Sequence, residues 1–187
     1  MQVELLQATL VELFGDGLGG NAVDGWVISD SGSQLLILLS ADQTWLRVMI
    51  SIATEDEAQP YLQQLLKANF DDTQEVRYAI SNKVLWGIYQ HDLEGLGVAT
   101  LKAAIARLID LKQDGLSNCF QQVVEGQIRQ IIWVSKQQGQ TLEATIQTLE
   151  RFYAEGMLGG LEQPKEDKES FLNAWRYQLN RLWDEVE

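Results

Sequence analysis

The sequence predicts an α+β fold: an antiparallel five-stranded sheet with helices packed on it, in the order αβββαββα, plus a C-terminal α-helical extension. Five short runs rich in apolar residues are strand-sized and bounded by turns, and several of them alternate with the period of half-buried strands. Beyond Gly115 these runs disappear, and apolar residues recur only at helical spacing. We therefore divide the chain into a sheet domain over residues 1–115 and a helical extension over residues 116–187.

The first predicted helix covers residues 3–14. Its buried stripe is expected to be Leu6, Leu10 and Leu13. The glycines of residues 15–21 end the helix, and we expect a flexible connection there. Residues 15–20 match the string G-x-G-x-x-G, but a dinucleotide-binding loop follows a strand and opens a helix. Here the loop follows a helix and precedes a strand, so the sequence does not predict phosphate binding.

Three strands are predicted next, at residues 26–29, 35–39 and 45–52, with turns at 30–33 and 41–43. The third strand alternates fully. One face carries Leu46, Val48, Ile50 and Ile52, and the other carries Trp45, Arg47, Met49 and Ser51. The run 35–39 is apolar at every position, which favours a strand covered on both faces. The helices of the domain can cover one face, so the helical extension, a second copy or a client is expected to cover the other.

The middle helix begins with a capping box at residues 54–57, where Thr54 and Glu57 satisfy each other's free amides. Its expected buried stripe is Leu62, Leu65, Leu66 and Phe70. Two strands follow at residues 75–80 and 84–89, and the second places Trp86 and Ile88 on one face. A helix from about residue 98 completes the domain, with a stripe of Leu101, Ile105 and Leu108.

Three helices are predicted in the extension, at residues 121–136, at residues 141–153, and from Pro164 onward. The glycines of residues 156–160 separate the last two. Along the last helix an apolar stripe is predicted, made of Phe171, Leu172, Trp175, Leu179, Leu182, Trp183 and Val186. This stripe is expected to face either the sheet or another chain.

Composition excludes several classes of function. The 14 Lys and Arg residues against 27 Asp and Glu residues leave a formal net charge of −13, which disfavours binding to nucleic acid or to anionic lipid. A single Cys and a single His exclude an internal disulfide and most zinc sites. No apolar run approaches the roughly 18 residues of a membrane span, and the amino terminus does not resemble a signal peptide. We expect a cytoplasmic protein without a cofactor or metal.

Residues 65–70, residues 78–86 and the later positions Leu93, Leu96, Leu101, Ile105 and Leu108 resemble the corresponding helix, hairpin and final helix of one known fold. The sequence up to about residue 115 is similar to the type III secretion chaperone-like fold, which includes chaperones of the Tir-chaperone type and YbjN-like sensory transduction regulators. The resemblance implies a small, acidic, dimeric protein that binds another protein. The chain continues for some 70 residues beyond the family's usual end.

Tryptophan is enriched at protein interfaces because a rigid ring buries a large area at a small entropic cost. The six tryptophans therefore suggest partner-binding residues, although ordinary core packing also explains them. The candidates are Trp45, Met49 and Trp86 on the sheet, with Trp175, Leu179 and Trp183 on the last helix.

The function predicted from the sequence is a non-enzymatic protein-binding module, chaperone-like or YbjN-like, that acts through apolar contacts and forms a homodimer. An alternative is a small-molecule sensor whose extension closes over a pocket between sheet and helices. A remote alternative is an enzyme with a site near His91. Asp92 follows His91 directly, so on a strand the two side chains point to opposite faces and do not form a catalytic pair. Cys119 has no neighbouring base and is expected to be a small buried residue.

Overall fold

The computed structural model describes residues 1–21, 23, 25–30, 33–155 and 165–187. Three sequence predictions fall wholly or partly outside these residues: the turn at 30–33, the glycine break at 156–160, and the helix start at Pro164. The side chain of Phe171 is also outside them. The chain forms two compact units, an N-terminal unit of Met1–Phe120 and a C-terminal unit of Gln121–Glu187.

In its described residues the N-terminal unit contains six strands and four α-helices, and a further helix begins at its end. In chain order the elements are α1 (Val3–Phe14), β1 (Leu18–Asn21), β2 (Gly25–Asp30), β3 (Ser33–Leu39), β4 (Trp45–Thr54), α2 (Glu55–Ala58), α3 (Leu62–Asp71), β5 (Arg77–Ser81), β6 (Val84–Asp92) and α4 (Val98–Asp114). Helix α5 (Ser117–Gln137) begins in this unit, and α6 (Leu142–Ala154) and α7 (Lys165–Leu182) belong to the C-terminal unit.

The sheet is antiparallel throughout, with the strand order β1-β2-β3-β4-β6-β5. The predicted α+β class is confirmed, but the prediction of five strands is wrong because there are six. The additional strand is β1, in the segment predicted to be a flexible connection. Its two central residues, Gly19 and Gly20, have no side chains and so produce no alternating pattern. Gly20 has a φ of 92°, and a Cβ there would collide with the carbonyl oxygen of Gly25.

One face of the sheet packs against the helices and forms the core. Leu46, Val48, Ile50 and Ile52 of β4 are all buried, as the alternation predicts. Leu6 and Leu10 of α1 are also in this core, together with Leu101, Ala104, Ile105 and Leu108 of α4. Helix α4 approaches β6 closely at Gly87, where an added Cβ would lie 3.2 Å from Leu108 Cδ2. We call the face of the sheet that packs against these helices the inner face.

The predicted stripe of the middle helix is only partly correct. The capping box is present, with the Thr54 hydroxyl and the Glu57 carboxylate in reciprocal hydrogen bonds. A 3₁₀ turn at Gln59–Tyr61, with Pro60, then separates α2 from α3 and changes the helical phase. Leu65 is buried, but Leu66 is 69% and Phe70 is 90% exposed. At about 100° per residue, Phe70 points about 140° away from Leu65.

Leu13 of α1 was also expected in the buried stripe, and it is 38% exposed. It lies in the last turn of α1, one residue before Phe14, and Phe14 packs against the core instead.

The C-terminal unit has its own apolar core. Its buried members are Ile128, Ile132, Leu179, Leu182 and Val186. Trp175 and Trp183 are partly buried and pack against these residues. Most of the described part of the stripe predicted along the last helix therefore packs within this unit.

Candidate protein-binding surface

The face of the sheet that points away from the N-terminal unit's helices is the candidate site, and we call it the outer face. Residues on it alternate along each strand with the buried residues of the inner face. Its side chains are those of Val27, Ser29, Gln34, Leu36, Leu38, Trp45, Arg47, Met49, Ser51, Arg77, Ala79, Ser81, Val84, Trp86, Ile88, Gln90 and Asp92. None of these side chains belongs to the core that the described helices of this unit form.

An apolar row crosses four strands at the centre of the outer face. The register pairs Val27 with Leu36, Leu36 with Met49, and Met49 with Ile88. Because neighbouring strands lie about 4.8 Å apart, this row is about 14 Å long. On β3, Leu38 lies two residues from Leu36, and on β6, Trp86 lies two residues from Ile88 on the opposite side of the row. The patch therefore also extends about 14 Å along the strands. Val27 and Leu38 are each 37% exposed.

Two arginines lie beside this apolar patch. The Arg47 guanidinium lies over the Trp45 ring, with Cζ 5.3 Å from the ring centroid, and donates to Gln90 Oε1 from Nε at 3.2 Å and Nη2 at 2.9 Å. Arg77 is paired with Ile88 across the strands and donates from Nη1 to the backbone carbonyls of Gln74 and Val76. Within the described residues neither arginine has a carboxylate partner.

Trp45, Met49 and Trp86, the three candidates predicted on the sheet, all lie on the outer face. Met49 is at the centre of the apolar row, and Trp86 is held by a hydrogen bond from Nε1 to the Ser81 carbonyl oxygen at 3.1 Å. The other three candidates are elsewhere: Leu179 is 1% exposed in the core of the C-terminal unit, and Trp175 and Trp183 pack against that core.

Four residues of the apolar patch were not among the candidates: Val27, Leu36, Leu38 and Ile88. The alternation of residues 84–89 already placed Ile88 beside Trp86. The uniformly apolar run 35–39 gives no signal that separates its two faces, so the positions of Leu36 and Leu38 become visible only from the strand register.

The free edge of the sheet at β5 is partly closed. Asn69 on α3 accepts a hydrogen bond from the Tyr78 amide at 2.7 Å and donates one to the Tyr78 carbonyl oxygen at 3.1 Å. Burial raises the pKa of the Tyr78 phenol to about 12. Since the outward backbone groups of Tyr78 already have partners, an added strand cannot use them. The face of the sheet is therefore more accessible to a partner than this edge.

The residues considered for chemistry do not assemble into a reactive group. His91 stacks on Tyr89 with ring centroids 5.9 Å apart, and its Nδ1 lies 2.6 Å from the backbone carbonyl oxygen of Asp92. Cys119 is a buried free thiol whose pKa is raised by that burial. Among the described residues, no three His, Cys, Asp or Glu side chains are grouped to hold a metal ion.

Two other surface features lie outside the outer face. Leu66 and Phe70 form an exposed apolar pair one turn apart on α3. In the C-terminal unit, α5 and α6 border a groove of about 640 Å³. Its walls combine apolar side chains, such as Ile131 and Phe152, with Gln and Thr residues and Arg151.

No helix in the described parts of the chain combines the length and hydrophobicity needed to cross a bilayer. No protein-family model and no curated protein matches the sequence.

Several solved structures contain chains that are similar to this one. The Yersinia pestis type III secretion chaperone SycH in complex with a stable fragment of YscM2 has 14% identity and a TM-score of 0.47, covering 60% of this chain and 98% of that chain. The HopA1-SchA chaperone-effector complex has 16% identity and a TM-score of 0.48, and the match covers 60% of this chain and 90% of that chain. The ExsC-ExsE complex has 15% identity and a TM-score of 0.47, and the match covers 59% of this chain and 93% of that chain.

Proposed function

We propose that this protein is a non-enzymatic binding module that holds a segment of another polypeptide on the outer face of its sheet. Its role would be that of a secretion chaperone-like protein or a YbjN-like regulator. One observation carries the proposal: the centre of the outer face is apolar, and no described helix of its own unit packs on it. An apolar patch left open on a folded domain is typical of a protein interaction site.

The size and shape of the patch favour a polypeptide over a small molecule. A surface of about 14 Å by 14 Å fits one α-helix, which is about 10–12 Å wide with its side chains. Small-molecule sites are concave, whereas the outer face is an open sheet surface. Burying about 200 Å² of this protein's apolar surface, at about 25 cal/mol per Å², contributes about 5 kcal/mol of binding free energy. Association costs a similar amount, so contacts at the rim must add to the affinity.

Within this proposal the candidate residues have separate roles. Met49 is the central contact, and Trp45 and Trp86 supply large rings on either side of it along the strands. Leu179 is assigned to the folding of the C-terminal unit because it is buried there. Trp175 and Trp183 keep part of their rings at the surface and remain candidates for a second contact.

We also propose that the homodimer predicted from the sequence forms through α3. Leu66 and Phe70 are the most exposed large apolar side chains on the helices of the N-terminal unit among the described residues. A two-fold dimer brings the same patch of both copies together, so these two side chains would pack on their equivalents. The outer face is then left for a different partner.

The experiment that tests the proposed function compares three forms of the full chain: wild type, Met49→Glu and Leu66→Glu. Each variant places one carboxylate on a partly or largely exposed apolar surface. We expect Met49→Glu to lose a partner that wild type and Leu66→Glu both capture from cells, and Leu66→Glu to lower the mass measured by light scattering. Capture that is equal in all three forms, at equal melting temperature, would contradict binding at the outer face.

A second candidate function is small-molecule sensing, which the groove between α5 and α6 favours. Its volume lies within the range of known ligand pockets, and its lining mixes apolar and hydrogen-bonding groups. A ligand that binds only the folded protein raises the melting temperature. A thermal-shift screen of metabolites against wild type and Phe152→Ala tests it, and a stabilising compound is expected to act on wild type alone.

A further inference from the structure

We propose that the occupant of the outer face is an acidic amphipathic helix of another protein, with an apolar stripe flanked on both sides by carboxylates. This inference rests on the proposed function of the outer face and adds the chemistry of the partner. It is carried by the charges around the apolar patch and by the distance between them.

The outer face has a different charge from the rest of the molecule. The chain has nearly two acidic residues for each basic one, with 27 against 14. The described side chains of the outer face include two arginines, Arg47 and Arg77, and a single carboxylate, Asp92, at the end of β6. The apolar patch is therefore bordered by positive charge on a protein whose net charge is strongly negative. A partner segment that carries carboxylates is complementary to this border.

Arg47 and Arg77 also bind a different kind of acceptor from the ion-paired arginines. Four of the seven arginines, those at 107, 129, 176 and 181, form ion pairs with glutamates. Arg47 donates to an amide oxygen and Arg77 to backbone carbonyls, which are neutral acceptors. A guanidinium has five N–H donors and binds carboxylate oxygens in a planar, two-bond geometry. Both groups keep donors for a carboxylate of a partner.

The distance between the two arginines matches the width of a helix. Arg77 on β5 and Arg47 on β4 are separated by one strand, β6, which puts them about 10 Å apart across the sheet. Arg77 is in register with Met49, and Arg47 is two residues along β4, or about 7 Å. The resulting separation is about 12 Å. A helix about 10–12 Å wide can contact Met49 and Ile88 with its apolar stripe while glutamates on its two flanks reach the two arginines.

The same features disfavour the other occupants of an open sheet. If two copies packed outer face to outer face, arginines would be brought to arginines, with only Asp92 as a described counter-charge in each copy. A strand added at β5 would meet the Asn69 side chain at Tyr78. A basic helix would place like charges beside Arg47 and Arg77.

The experiment is a selection of binding helices with the full chain as the probe. Yeast cells display 18-residue helices with a fixed Leu and Met stripe, and each flanking position varies among Glu, Gln and Lys. At 150 mM salt we expect selection of Glu on both flanks, although the protein as a whole repels acidic peptides. The selected helices should bind Arg47→Gln/Arg77→Gln about tenfold more weakly, because each exposed ion pair contributes a fewfold. Arg151→Gln, which removes one positive charge from the C-terminal unit, should bind as wild type does.

The outcomes separate this inference from the proposed function on which it rests. Selected helices that carry Gln or Lys on their flanks, or that bind equally to the double arginine variant, overturn the acidic partner. If such helices bind wild type but not Met49→Glu, the proposed binding at the outer face is still supported. If no selected helix is sensitive to Met49→Glu, both proposals fail. A dimer that dissociates on Met49→Glu alone would show that a second copy occupies the face, which also overturns the inference.

Discussion

Truncations at two adjacent positions of β4 separate a covered sheet face from an open one. Ile50 is on the inner face and 3% exposed, whereas Met49 is on the outer face and packs beside Leu36 and Ile88. Ile50→Ala removes methyl and methylene groups from a closed core and leaves a cavity, which costs about 3 kcal/mol. Met49→Ala removes a side chain that is only partly enclosed, and solvent fills the space, so we expect a cost of about 1 kcal/mol.

These free energies convert to clearly different melting temperatures. For a unit of about 120 residues, each kcal/mol lowers the melting temperature by about 4 °C, so the expected decreases are about 12 °C for Ile50→Ala and about 4 °C for Met49→Ala. Thermal unfolding followed by circular dichroism of the full chain measures both. Equal losses of about 3 kcal/mol would mean that the outer face is covered in the free protein, and the reasoning behind the proposed function would be refuted.

Three further substitutions test other parts of the structure. Thr54→Ala removes the capping box and should lower the free energy of unfolding in urea by about 1 kcal/mol. Hydrogen bonds from Thr54 also lower the pKa of Glu57. The stabilisation from this carboxylate is therefore present above its ordinary pKa and is lost as the pH falls through the lowered pKa. Gly87→Val should cost about 1–3 kcal/mol, because its Cβ would lie 3.2 Å from Leu108 Cδ2, and a normal melting temperature would contradict that packing. Glu125→Gln should destabilise the C-terminal unit by less than about 1 kcal/mol, and this destabilisation should be smaller in high salt. Hydrogen bonds from two arginines lower the pKa of Glu125. The contribution of this carboxylate to stability is therefore also lost as the pH falls through the lowered pKa.

Strand-sized apolar runs, together with the alternation of apolar and polar residues in some of them, were sufficient to predict most of the sheet. On β4 the alternation separated buried Val48 and Ile50 from Trp45 and Met49 on the outer face, because a strand with one covered face must alternate. The capping box similarly marked the start of α2. Strand β1 could not be predicted this way, since Gly19 and Gly20 have no side chains and the strand exists through its pairing with β2.

Apolar spacing on a helix was a weaker guide, because it shows which residues share a side but not whether anything covers them. Leu66 and Phe70 follow the helical period, yet α3 turns Leu65 and Asn69 toward the unit and leaves these two exposed. Trp175 and Leu179 were expected to face the sheet or another chain, and they pack in a core formed by other helices of the C-terminal unit. Such partners are long-range contacts that no local pattern contains.

The methyl group of Met49 provides the most direct test of the central claim, which is that the outer face binds another polypeptide. With ¹³C-labelled methionine methyl groups in the full chain, NMR observes Met49 separately from Met1, which packs against the inner-face core. We predict that a selected helix shifts or broadens the Met49 resonance at the concentration at which it binds, and leaves that of Met1 unchanged. A helix that binds while the Met49 resonance stays in place would contradict the account.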